Sequence, residues 1–335
     1  MTNRRNAKIA AALRRGCLLA ALGAAGLAAT PAQATEGGAS LYLLGSGGPG
    51  AGVAPPLEGV YVGKTIYIYD GDINADRQFV IGGNVVAGLD ATIVASFDAI
   101  QWVPSTNFLG GTLTVGAIVP IGAPMLDVEA VLTGPGGGQA TIGRRDSTLT
   151  VGDPVGTVAL GWKADKLHIQ ASSMVNFPVG HYREGELANI SLHRWIVDGS
   201  LAASWHDTES GWDISAKGGV TFNGRNDFTD YDSGNELHLE AAVEKTFSSK
   251  FSAGIQGYYY KQITGDSGTG ARLGAFKGET AAIGGTVAYN TVLGRAPTSF
   301  RLQMFHEFDT TNRLKGNSLM FTIALPLSMK MPTAP

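Results

Sequence analysis

The chain has 335 residues, of which 44% are hydrophobic, 16% charged and forty-seven glycine, with a formal charge of −3. Its single cysteine, Cys17, excludes an intrachain disulfide and a cysteine-based metal site. After residue 34 there is no apolar run of the ~18 residues a membrane-spanning helix needs, and no clustered basic stretch to meet nucleic acid.

In chain order, residues 1–34 read as a secretory signal peptide. Arg4, Arg5, Lys8, Arg14 and Arg15 form the basic region, an apolar run occupies 17–29, and Ala32-Gln33-Ala34 forms the cleavage site. Arg15-Gly16 before Cys17 is not a lipoprotein signal, so the thiol leaves with the leader. Cleavage leaves 301 residues with a formal charge of −8, an acidic chain with no appetite for nucleic acid.

Residues 35–56 are rich in glycine and proline: Gly37, Gly38, Gly47, Gly48, Gly50, Gly52, Pro55 and Pro56. They cannot form one regular strand. At their centre Leu41, Tyr42, Leu43 and Leu44 make a short apolar core. The segment is expected either to lead in from the periplasm or to fold back as a partial plug, and the apolar tetrad favours the plug.

From 57 to 327 the pattern is a period of two. In 193–206 the odd positions carry Trp195, Val197, Leu201 and Trp205, while the even ones carry Arg194, Asp198, Ser200, Ser204 and His206, with Ile196 and Ala202 the exceptions. One face is apolar and the other wet, as in a strand with two different environments. Twelve such segments are read, near 57–70, 84–103, 109–120, 154–164, 166–178, 193–206, 211–223, 234–247, 249–263, 276–291, 298–309 and 314–327. Tight links at 104–108, 164–166, 207–210 and 248–249 interleave with longer ones at 121–153, 179–192, 224–233 and 264–275. Outer-membrane barrels sort their loops this way, with short periplasmic turns and long external loops, and a soluble sandwich does not. The expected fold is therefore all-β: a transmembrane antiparallel up-and-down β-barrel of about twelve strands, embedded in outer-membrane lipid and followed by a short tail at 328–335. Aromatic residues near strand ends supply the interfacial girdles: Tyr67, Tyr69, Trp102, Trp162, Phe177, Trp195, Trp205, Trp212, Phe222, Phe247, Phe251, Phe300 and Phe308.

If the apolar faces meet lipid, the opposite parity lines a lumen. This assigns inward positions to Arg194, Asp198, Ser204, Asp213, Lys217, Asn223, Glu236, His238, Glu240, Glu244, Gln256, Tyr258, Tyr260, Gln262, Arg301, Gln303 and Glu307. A barrel of about twelve strands encloses a narrow lumen, so opposed charges should pair across the wall, with Lys217 reaching Glu240 or Glu244. Glu236, His238 and Glu240 share one face, but nothing in their spacing specifies a metal geometry, and no metal or cofactor is expected. Asp232-Ser233-Gly234 near His238 suggests the Ser-His dyad of an outer-membrane lipase or esterase. By parity, however, Ser233 and His238 lie on opposite faces, so no catalytic residues and no enzyme are expected. An adhesive barrel, the other alternative, would want aromatic anchors on its loops, which are instead polar and Gly-rich.

Five blocks are similar to the outer-membrane proteins of the phenol meta-pathway degradation family: EGGASLYLLGSGGPGAGVAPPLEGVY (36–61), GWDISAKGGVTFNG (211–224), TDYDSGNELHLE (229–240), GYYYKQITGDSGTGARLGAFKG (257–278) and HEFDTTNRLKGNSLMFTIALPL (306–327). The resemblance implies a Gram-negative outer-membrane transporter or channel for small hydrophobic or aromatic solutes, inserted by the barrel assembly machinery. Unlike many such chains, this one ends on Pro335 instead of an aromatic residue. The alternation Leu319, Phe321, Ile323 and Leu325 is left to serve as the internal assembly signal.

Overall fold

The computed structural model describes residues 36–81, 84–133 and 139–330. The expected leader lies outside these residues, as do 331–335. After a short 3-10 turn at Glu36–Gly38 the described chain is almost entirely strands: β1 Gly59–Ile81, β2 Asn84–Phe108, β3 Gly111–Thr133, β4 Gln139–Ser147, β5 Thr150–Val151, β6 Val155–Ala164, β7 Leu167–Asn176, β8 Ile196–Asp207, β9 Trp212–Asn223, β10 Arg225–Asn226, β11 Tyr231–Asp232, β12 Glu236–Thr246, β13 Phe251–Gln262, β14 Glu279–Leu293, β15 Ala296–Thr311 and β16 Lys315–Met329. Twelve of them, all but β4, β5, β10 and β11, form one antiparallel ring in which each pairs with its neighbours. The ring closes where β1 pairs with β16, from Gly59↔Met329 to Asp72↔Lys315. The short β10 and β11 form a separate external hairpin. Each of the twelve segments expected from alternation is a wall strand.

What each face touches explains the ring. On β8, Leu201 is 66% exposed on the outside while Asp198 is 1% exposed on the inside. On β13 Ile255 is 65% exposed outside, and on β12 Glu236 is 1% exposed inside. In water this arrangement would strand apolar side chains in solvent and bury charges for nothing. With lipid outside and a polar interior it is the stable one. Ten of the expected girdle residues, including Trp102, Trp162, Trp205 and Trp212 at one rim and Phe177, Trp195, Phe222 and Phe308 at the other, are exposed. Tyr67 and Tyr69 are not girdle residues: they point into the barrel.

The strands β6 to β9, β12 and β13 have ten to twelve residues, close to the ~9–11 that span a membrane. By contrast β1, β2 and β3 run for 23, 25 and 23 residues and continue well beyond the bilayer on the side of the long loops. This corrects the expected loop at 121–153, which instead contains the upper half of β3, then β4 and β5. The two prolines of β3 are accommodated in the strand. Pro120 and Pro124 stand opposite Phe97 and Ile93 of β2, yet their carbonyls accept from Gly152 N at 2.8 Å and Thr148 N at 3.4 Å on the other edge. A strand residue's N–H and C=O point to the same edge, so the missing donors cost the β2–β3 ladder nothing. At this point β3 changes partner, pairing with β6 only from Thr112↔Gly161 to Ile118↔Val155 and with β5 and β4 above. The projecting sheet has its own apolar core, in which Ile73, Val86, Leu89, Leu126 and Val128 pack on Leu187 and Ala188 of the 177–195 link.

The five turns at the other end are short. Leu109 and Gly110 both have positive φ, 50° and 75°, matching a two-residue hairpin turn whose twist suits antiparallel strands.

Because Leu201 lies midway between the Trp195 and Trp205 rims, Leu201→Arg should destabilise the inserted barrel by about 2–4 kcal/mol, with Leu201→Phe near wild type. Equilibrium unfolding in lipid vesicles, followed by heat-modifiable gel migration, checks this.

Candidate functional site

The site is the lumen, and residues 36–58 occupy it. This stretch enters at the end with the long loops and descends to the end with the short turns, where β1 begins. Its peptide groups have no neighbouring strand, so side chains of the wall take that role. At the top, Glu36 N donates to Ser233 Oγ at 3.3 Å, Asn226 donates to the Glu36 carboxylate at 2.8 Å, and Arg194 donates to Ala39 O at 3.4 Å. Ser40 donates to Glu236. Lower down, the two oxygens of Glu240 accept from Gly45 N at 2.7 Å and Gly47 N at 2.6 Å, while Gln303 donates to Gly45 O at 3.0 Å. Gly50 N then donates to Asp213 and Ser215, both at 3.0 Å, and Gly52 N to Ser204 at 2.9 Å.

Two glycines explain why the segment must be glycine-rich. Gly45 has φ +91°, and a Cβ there would collide with the Phe305 ring. A Cβ on Gly52 would lie 2.8 Å from His168 O and 2.9 Å from Ser204 N, both backbone atoms that cannot move aside.

The parity-assigned residues on β8, β9, β12, β13 and β15, with Arg194 just before β8, all point inward. Asp198, Asp213, Glu236, His238, Glu240, Glu244, Tyr258, Tyr260 and Glu307 are buried there. Their partners are more specific than the sequence shows. Asp198 accepts from Ser200 at 2.6 Å and Thr221 at 2.8 Å, and pairs with His238 Nε2 at 2.9 Å. The imidazole stacks on the Tyr42 ring, centroids 3.6 Å apart and planes 12° from parallel. Glu244 pairs with Arg301 at 2.5 Å. Glu307 accepts from Tyr69, Tyr258 and Gly316 N at 2.9–3.0 Å.

Two expectations fail here. Lys217 does not come within 4 Å of Glu240 or Glu244. Its Nζ sits 4.7 Å from the Tyr42 ring centroid, because the inner segment lies between the wall charges and takes Glu240 for its own amides. Tyr42 is also unlike its neighbours in the apolar tetrad, being held among His238, Lys217 and Glu240. The parity placement of Ser233 on the face opposite His238 is also corrected, since Ser233 is buried and accepts from Glu36 N of the inner segment, while the imidazole pairs with Asp198.

The other side of the segment is different. Leu41, Leu43 and Leu44 face a cavity of about 370 Å³ whose far wall is Thr65, Tyr67 and Tyr69 of β1, Ile93, Ala95 and Phe97 of β2, Ile118 and Pro120 of β3, Val155 of β6 and Met174 of β7. This apolar half of the lumen was missed by assigning every apolar face to lipid. The signal available for it was the same-face pair Tyr67 and Tyr69 opposite Lys64 and Asp70, a strand whose outward face is the more charged. The inner segment thus splits the lumen, hydrogen-bonded to the polar strands β8, β9, β12 and β15 and leaving an oily chamber against β1, β2, β3, β6 and β7.

A closed twelve-stranded barrel with an interior segment and an apolar chamber defines an outer-membrane channel architecture. The chain belongs to the family described as "Putative MetA-pathway of phenol degradation", which it matches over residues 75–323. In fold it is similar to the COG4313 outer membrane channel from Pseudomonas putida F1, with a TM-score of 0.61 at 17% identity, covering 82% of this chain and 98% of that one. A more distant similarity, TM-score 0.40 at 10% identity, covers 88% of this chain and 98% of a Pseudomonas aeruginosa FadL homologue. No curated protein matches the chain in sequence.

Gly52→Val should prevent the lower end of the segment from seating while leaving the wall intact. Planar-bilayer recordings are expected to show a several-fold rise in single-channel conductance, with heat-modifiable migration retained.

Proposed function

We propose that the barrel carries small hydrophobic or aromatic molecules across the outer membrane by passive diffusion, with residues 36–58 acting as a plug that closes the aqueous route. The observation that carries this reading is the chamber lined by Leu41, Leu43, Leu44, Tyr67, Phe97 and Ile118. Its volume falls in the lower part of the ~300–1,000 Å³ range of small-molecule sites, which are mostly apolar with a few placed polar groups. A water-filled pore for sugars or ions would instead keep its charges exposed along an open axis, whereas here Glu236, Glu240 and Asp213 are spent on the inner segment. The sequence contains no nucleotide-binding glycine loop, so flow follows the solute's own gradient. The chamber also abuts the β3–β6 seam, which has only seven pairs and ends at Ile118↔Val155 beside Pro120. Opening that seam gives an oily solute a way into the membrane without crossing the polar half of the lumen.

The test is uptake of N-phenylnaphthylamine, a hydrophobic fluorophore, by cells with and without the barrel in their outer membrane. The expected result is several-fold faster entry with the barrel and loss of the gain in Ala99→Trp, which fills the chamber from β2. Equal rates with and without the barrel would contradict the reading.

A further inference from the structure

The chamber is apolar except at its upper end, where the short turn between β15 and β16 folds back into the barrel. Asn312 adopts a left-handed conformation, φ 59°, and the next side chain, Arg313, enters the lumen and lines the chamber with Leu314. Its guanidinium carbon lies 4.1 Å from the centroid of the Tyr260 ring. A guanidinium offers five N–H donors, yet Arg313 makes no hydrogen bond or ion pair with any described residue, and its Nη1 is buried without a partner. The nearby carboxylates of Glu307 and Glu236 attract its charge but give it no hydrogen bond. Both oxygens of Glu307 are occupied by Tyr258, Tyr69 and Gly316 N, and Glu236 is taken by Ser40 and Asn223. The other acid on the chamber, Asp153, accepts from Asn176, Gly180 N, Ser191, Leu192 N and His193 N. Among the described residues that line the chamber, Glu307 and Asp153 are therefore saturated with donors, and Arg313 is not.

A guanidinium whose Nη1 is buried without an acceptor is costly until something accepts from it, and a carboxylate matches its fork best. We propose that Arg313 is the head-group contact for an anionic amphiphile: a hydrophobic or aromatic body in the chamber bearing a carboxylate that accepts from Arg313. This rests on the hydrophobic-solute reading above and narrows it to acids. Tyr260 holds the guanidinium from one face by a cation–π contact, so its edge, where the N–H groups point, is left to the ligand. Amines are disfavoured by the same charge, and neutral alcohols lose the charge-assisted part of the contact.

The experiment is equilibrium dialysis of the full barrel in lipid nanodiscs, with empty nanodiscs as blank, against 4-phenylbutyrate, 4-phenylbutanol and 4-phenylbutylamine. These share one body and differ in the head group. The expected result is about tenfold tighter binding of the acid than of the alcohol, with the amine weakest. In Arg313→Gln the acid-to-alcohol ratio should fall to near one, and Arg313→Lys should restore part of it. Lys315→Gln, a charge change at an exposed site on the same turn, should keep the wild-type ratio. Heat-modifiable migration confirms that each variant is assembled. Equal binding of acid and alcohol by the wild type, or an undiminished ratio in Arg313→Gln, overturns the proposal. Failure of all three compounds to bind overturns the hydrophobic-solute reading itself, and the assignment of Arg313 with it.

Discussion

Residues 36–58 run through the barrel with no neighbouring strand, so a buried peptide group that their own tight turns do not satisfy, as they do for Ser46 N, Ala51 N and Val53 N, must find a partner in the wall. The rest of the interior follows from that constraint. An unpaired buried N–H costs on the order of 1–3 kcal/mol, and the N–H groups of Glu36, Gly45, Gly47, Gly50 and Gly52 are each met by a side chain from β9, β12, β8 or the external loop. The carboxylates on these strands are placed where a β-ladder would otherwise have supplied acceptors. The glycines of the segment are the complement: they bring the backbone close enough for Glu240 to reach two amides at once.

Once the segment is bonded to one wall, its other face must point at the opposite wall, and this gives the lumen its two characters. Leu41, Leu43 and Leu44 would be worth about 1.5–3 kcal/mol each if fully buried, and they look across the chamber at Phe97, Ile118 and Met174. Tyr42 turns the other way because its ring has a better offer between His238 and Lys217. The tetrad is thus two-faced like the strands around it, with Tyr42 on the polar side and its three leucines on the oily one. An oily chamber beside a locked polar wall suits a solute that water carries badly. The acceptor-hungry Arg313 at its upper end adds a preference that the apolar walls alone could not supply.

Much of the wall was legible in the sequence. On β8 and β12 most outward residues are apolar and most inward ones are Asp, Ser, Glu and His, with Ile196, Ala202 and Ala242 the inward exceptions, so parity separates lipid from lumen. The same rule fails on β2, where the inward Ile93, Ala95 and Phe97 are more apolar than the outward Ser96 and Asp98, because there both sides of the wall are hydrophobic environments. The upper part of β3 falls in the Gly- and Asp-rich stretch 121–153, which reads as a link because it outruns the bilayer, and it carries Pro124 just beyond Pro120. Only the register shows that the prolines turn their missing donors away from β2. The Lys217 pairing could not be anticipated without knowing that a chain segment would pass between the two charges. The apolar tetrad was visible in the sequence. That its second residue faces the opposite way depends on His238, two hundred residues further on.

The inner segment divides the lumen, and on the proposed reading a solute occupies the oily side. Anomalous diffraction from crystals of the barrel soaked with a brominated hydrophobe such as 4-bromobiphenyl locates the bromine directly. The account predicts a peak between Leu43, Tyr67, Phe97 and Ile118. A peak on the polar side, among Glu240, Gln256 and Asp213, or peaks on the outer surface alone, would contradict it.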